Sequence, residues 1–209
     1  TTAYRLAQCL MLAGQNKEAA GAFENFARQN PDHAQVAYAK YQIAMIHAKL
    51  RDLPKARKQL IELLQSTPNG KTAESAQISL GNFYAAGDDF DSALKTYTLF
   101  LGKYPKSKQL LQAQYGIGWA LHNQKKYAEA RTWYAKVIST NKGSTAAKAQ
   151  LQIGRTYRDQ DEFRLAAIEL MKVDVLYKDP QVSAKAVCEA GLAFEKLREL
   201  PMAAQKYRE

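Results

Sequence analysis

Three short stretches carry residue types that can bind phosphate or act as nucleophiles. Gly116-Ile117-Gly118 has the opening of a dinucleotide-binding glycine pattern, but it lacks the third glycine and a preceding strand. Gly70-Lys71-Thr72 matches the end of a phosphate loop, with Gln65 standing where the first glycine belongs. Ser92-Ala93-Leu94-Lys95 has Ser-x-x-Lys spacing without the companion motifs of that chemistry. His33, His47 and His122 form no pair at ligand spacing, and neither Cys9 nor Cys188 lies near a histidine. Cys9 reads as a small buried apolar residue rather than a reactive thiol. Catalysis, a metal centre and a cofactor are therefore not expected.

The elements that hold these residues follow from a repeat. Ala7, Ala44, Gly81, Gly118, Gly154 and Gly191 form one column with spacings of 37, 37, 37, 36 and 37. A second column twelve residues on is alanine throughout, at Ala19, Ala56, Ala93, Ala130, Ala166 and Ala203. Large residues follow at sixteen (Phe23, Leu60, Tyr97, Tyr134, Leu170 and Tyr207) and at three (Leu10, His47, Tyr84, Leu121, Tyr157 and Phe194). Small residues let two helices approach, and the large ones fill the space between them. Apolar residues recur at helical spacing on both sides of a polar turn such as Gly87-Asp88-Asp89, so each copy reads as two antiparallel helices. Pro54 and Pro201 mark the start of a second helix, and Pro31, Pro68 and Pro105 its end. That last column fails at Lys142 and slips to Pro180.

These columns resemble the tetratricopeptide repeat, over essentially all 209 residues. The resemblance implies an all-α fold: a right-handed superhelical solenoid of about six helix-turn-helix repeats. Their approximate bounds are 1–32, 33–69, 70–106, 107–143, 144–179 and 180–209. The chain opens and closes in mid-pattern, Thr1 within a first helix and Glu209 within a second, so we expect a segment of a longer protein. The junction Tyr104-Pro105-Lys106-Ser107 is similar to that of bacterial envelope members of the family, the outer-membrane β-barrel assembly lipoprotein and the Tol–Pal-associated coordinator. It implies a periplasmic or outer-membrane-associated setting.

In the family, first helices line a concave groove, which places two patches on that face here. One is aromatic and soft: Tyr38, Tyr41, Met45, Tyr115 and Trp119. The other is basic: Lys148, Arg155, Arg158 and Lys185, with Lys49 and His122 also facing inward. Asn82 and Asn123 are placed to hydrogen-bond a ligand's backbone, and Cys188 maps inward beside Lys185. The rival reading packs the aromatics against neighbouring repeats and pairs the arginines with Asp159 or Asp161. The carboxylate clamp of chaperone-binding members is absent: Tyr41 and Met45 stand where Lys and Asn belong, and only Lys148 fits.

The net charge is +10. From residue 106 onward there are eighteen basic and eleven acidic residues. This balance suggests an acidic protein or peptide partner, beside the plainer reading of a solvated face of Lys-rich helices. Nucleic acid or another anionic polymer is the alternative, disfavoured because the basic residues form no continuous run. Unfinished faces at both ends leave self-association open. No stretch approaches the ~18–20 apolar residues of a membrane span.

Overall fold

The computed structural model describes residues 2–208, which form twelve α-helices; Thr1 and Glu209, and the expectations placed on them, lie outside the described residues. The helices are α1 (Thr2–Leu12), α2 (Asn16–Gln29), α3 (Val36–Lys49), α4 (Leu53–Ser66), α5 (Lys71–Ala86) and α6 (Phe90–Lys103). They continue as α7 (Leu110–Asn123), α8 (Tyr127–Thr140), α9 (Ser144–Arg158), α10 (Phe163–Leu176), α11 (Pro180–Lys196) and α12 (Leu200–Arg208). They fall into two compact units, one running to Tyr104 and the other starting at Pro105. Each unit holds three helix-turn-helix pairs. None of the described helices is long and apolar enough to cross a membrane.

The glycine column works by shape. A Cβ added at Gly81 would lie 2.5 Å from the Tyr97 ring, at Gly118 2.7 Å from Tyr134, and at Gly154 2.5 Å from Leu170. The large residue sixteen positions on therefore lies directly on the backbone of its paired first helix. Tyr97, Tyr134 and Leu170 are fully or almost fully buried, whereas Tyr207 in the sixth pair is 46% exposed. All six alanines of the second column are buried. Tyr4, Phe23, Phe26, Ile43 and Ile46 build one core cluster, and Leu60, Leu63, Leu80 and Phe83 the next. In the second unit Leu170, Val173, Tyr177 and Val182 form the equivalent cluster.

Every turn within a pair has the same form. Gly14, Arg51, Asp88, Lys125, Asp161 and Arg198 all take the left-handed conformation, with φ between 59° and 78°. In the second pair Arg51 N–H donates to Ala48 O and Asp52 N–H to His47 O, at 3.0 and 2.9 Å. The other five turns repeat both bonds, so each first helix ends in a Schellman motif that satisfies its last carbonyls. Only the first copy uses glycine there. Non-glycine residues carry a steric cost in this conformation. Asp88→Gly, Lys125→Gly and Asp161→Gly should each raise stability by about 0.5–1 kcal/mol, read as a higher urea midpoint at unchanged slope.

The prolines divide by role. Pro54 and Pro201 sit in the first turns of α4 and α12, and Pro31, Pro68 and Pro105 follow the C-caps Asn30, Thr67 and Tyr104. Pro180 does not end α10. It opens α11, with Asp179 Oδ1 accepting from Val182 N–H at 3.2 Å. Gly116 and Gly118 lie inside α7, and Ser92 in the first turn of α6, where its N–H donates to the cap Asp89 at 3.2 Å. The expected burial of Cys9 is corrected: it is exposed, because the buried side of α1 carries Tyr4 and Ala7; Cys188 on α11 is exposed too.

Candidate functional site

Among the first helices, α3 touches α5, α7 touches α9, and α9 touches α11. The residues expected to face inward stand along these contacts. In the first unit Tyr38 is 42% exposed and its ring lies 6.2 Å from that of half-buried Tyr41. The Tyr41 hydroxyl is 3.2 Å from Ser79 Oγ on α5, which ties the second pair to the third. Met45 packs partly buried against the cluster around Leu60, while Lys49 is exposed. Asn82 is bonded internally: its Oδ1 accepts from the Tyr97 hydroxyl at 2.7 Å.

In the second unit the basic patch is a charge network. Arg155 grips Glu189 on α11 through Nε and Nη2, with the Nε bonds at 3.0 Å. Arg158 Nη1 donates to Glu189 Oε2 at 2.9 Å and its Nη2 to Asp159 Oδ1 at 2.8 Å. His122 on α7 completes the chain, with Nε2 2.8 Å from Asp159 Oδ2. Side-chain hydrogen bonds and ion pairs thus join three first helices. Arg155 is 29% exposed, Arg158 37% and Glu189 14%, so the network lies at the surface rather than in the core. Partial burial pushes the Asp159 carboxyl up, but bonds from His122 and Arg158 outweigh it and hold its pKa below the usual value. Such a carboxylate adds stability above its unfolded pKa and loses it as pH falls through the folded value. Below pH 4 the wild type should therefore lose an increment of stability that Asp159→Asn lacks, measured by urea unfolding against pH.

Tyr115 stands half-buried beside this network, its hydroxyl accepting from Gln152 Nε2 at 3.2 Å. Burial raises its pKa against the opposing influence of Gln152 and Arg155. Trp119 is half-buried, and its carbonyl accepts from Asn123 Nδ2 at 2.8 Å. Lys148 and Lys185 are exposed at equivalent places on α9 and α11. The two arginines that read as free ligand clamps are thus engaged with carboxylates, and Tyr41, Tyr115, Asn82 and Asn123 all have partners within the chain. The partners Ser79, Gln152 and Glu189 were not singled out from the sequence. All three stand two residues before an anchor glycine, a column that reaches back to the preceding repeat.

Between pairs, Arg57 lies 5.4 Å from the centre of the Tyr84 ring and Arg131 4.3 Å from that of Tyr157, in the same register. One hydroxyl breaks the symmetry. Buried Tyr134 has no hydrogen-bond partner for its OH among the described residues, although Tyr97 in the same column has Asn82. Tyr97→Phe should cost about 1 kcal/mol, whereas Tyr134→Phe removes an unpaired buried hydroxyl and should raise stability, a difference in sign that parallel urea titrations would show.

The profile of a family described as tetratricopeptide repeat-like domain matches residues 2–155. The helical pairs continue beyond that match to α12. Among solved structures, MamA from Desulfovibrio magneticus RS-1 is 20% identical with a TM-score of 0.70, over 83% of this chain and 92% of that one. Pseudomonas aeruginosa PilF is 13% identical with a TM-score of 0.72, over 98% and 87%. A tetratricopeptide repeat protein from Parabacteroides merdae ATCC 43184 is 14% identical with a TM-score of 0.63, over 100% and 92%. These likenesses concern the fold. Among curated proteins no sequence match was found.

Proposed function

Because this chain belongs to the tetratricopeptide repeat-like family, whose repeats generally serve as protein-interaction modules, we propose that it is a non-catalytic scaffold. It binds a protein segment on its first-helix faces, within a bacterial cell-envelope assembly, periplasmic or at the outer membrane. The observation that carries the reading is the run of half-buried aromatics and charges along α7, α9 and α11. Tyr115, Arg155 and Arg158 are held in place there by bonds between repeats, so a partner meets a face whose geometry is already set. Preorganised groups lose little entropy on binding. The envelope setting is supported by the Tyr104-Pro105-Lys106-Ser107 junction.

The test is capture from source-cell extract with the wild type beside Lys148→Glu/Lys185→Glu, two exposed positions whose change leaves the Glu189 network intact. A protein held by the wild type and lost by the variant, at unchanged helicity, supports the scaffold. Capture of the same proteins by both would contradict a working first-helix face. Retention of nucleic acid or acidic polysaccharide, falling steeply with salt, would favour the anionic-polymer reading.

A further inference from the structure

Trp119 occupies a position for which the fold has a better-bonded solution. In the third pair Gly81 lets Tyr97 lie against α5, and the next residue, Asn82, accepts the Tyr97 hydroxyl at 2.7 Å. In the fourth pair Gly118 and Tyr134 repeat that packing. The residue after the glycine is now Trp119, and the buried Tyr134 hydroxyl is left without a partner among the described residues. An indole offers no acceptor, so a tryptophan here carries the desolvation cost of an unmade bond in the core. What it supplies instead is a large, stiff apolar surface, half-buried, on the helix face that also bears His122, which reaches Asp159 after α9. That is the profile of a binding hot spot: wide area at low entropic cost, beside fixed charged groups.

We infer that Trp119 is the apolar anchor of a site for an acidic segment of a partner protein, one that carries a large apolar side chain among its carboxylates. The inference rests on the scaffold reading above. Charge complementarity selects the acidic segment. Glu189 and Asp159 balance Arg155 and Arg158, while Lys148 and Lys185 stand exposed on the adjoining first helices. The whole stretch from Pro105 holds eighteen basic residues against eleven acidic.

The chain has two tryptophans, so Trp133→Phe in the full chain leaves Trp119 as the single fluorescent reporter. The probes are short synthetic peptides: Glu/Asp-rich with one central Leu, the same with Lys in place of the acids, and the acidic one with Gly for Leu. The acidic Leu peptide should shift Trp119 emission saturably, and the other two should bind at least about tenfold more weakly. In the otherwise wild-type chain Trp119→Asn should raise the urea midpoint, by restoring an acceptor for Tyr134, while weakening the acidic Leu peptide about tenfold or more, read by anisotropy of the labelled peptide. A lowered midpoint would make Trp119 a packing residue and overturn the anchor. So would unchanged peptide affinity in Trp119→Asn, and absence of binding by the wild type would overturn the acidic chemistry. A partner lost on Lys148→Glu/Lys185→Glu yet indifferent to Trp119→Asn would overturn the anchor and leave the scaffold reading standing.

Discussion

Gly118→Ala should destabilise the chain by about 2 kcal/mol, despite the better helix propensity of alanine. The added Cβ would lie 2.7 Å from a ring atom of Tyr134, inside any normal contact distance. Tyr134 is fully buried and has no room to retreat. Overpacking of this kind costs about 1–3 kcal/mol, whereas replacing a helical glycine by alanine returns about 1; at a contact this close the steric cost prevails. The second pair shows the remedy, since Ala44 stands there with Leu60. Gly118→Ala/Tyr134→Leu should therefore lose at least about 1 kcal/mol less than the two single changes added together. Urea unfolding of the four proteins gives that coupling. Strict additivity would mean that the two columns do not meet.

That coupling shows why so much of the fold is legible in one sequence. A small residue recurring with a large one sixteen positions later records a contact in every repeat, and six copies carry the pattern over substitutions in single columns. The turns are less legible. The left-handed residue is glycine only at Gly14 and otherwise Arg51, Asp88, Lys125, Asp161 or Arg198, because the Schellman bonds, rather than the residue type, enforce the conformation. Pro180 misleads in another way, since proline ends one helix and begins the next with equal ease.

The face of the second unit was legible in its residue types and not in their bonds. Offsets within a repeat mark Arg155 and Arg158 for the surface. Whether they wait for a ligand depends on the neighbouring repeat, and Glu189 lies in a column whose side chains point backward along the stack. Residue type varies along that column, through Ser79, Gln152 and Glu189, so it leaves no signature in composition. Cys9 fails for a related reason: its apolar character says nothing about which side of α1 is covered.

Glu189→Ala should cost about 2 kcal/mol and loosen α11 from α9. The carboxylate accepts from both Arg155 and Arg158, and its removal leaves two oriented guanidinium groups facing each other without the anion between them. Hydrogen bonds to charged groups contribute about 1.5–3 kcal/mol, and partial exposure of both arginines keeps the loss below that of a buried pair. Hydrogen exchange should show faster exchange in α11 and the end of α9, with α7 and α8 little changed, since each repeat depends mainly on its neighbours. Uniform protection across the variant would mean that the network decorates the surface without joining the helices. Arg155→Ala/Glu189→Ala should recover part of the loss, because the uncompensated charge is then reduced.

A photo-crosslinking amino acid placed at single positions, in intact source cells that are then irradiated, shows which face meets a partner. Lys148 and Lys185 report on the first-helix face, and Thr132 and Ser139, both exposed on α8, report on the second-helix side. A working first-helix face gives a discrete protein adduct from Lys148 and Lys185 and none from Thr132 or Ser139. Adducts confined to α8, or none from the first-helix positions, would contradict it.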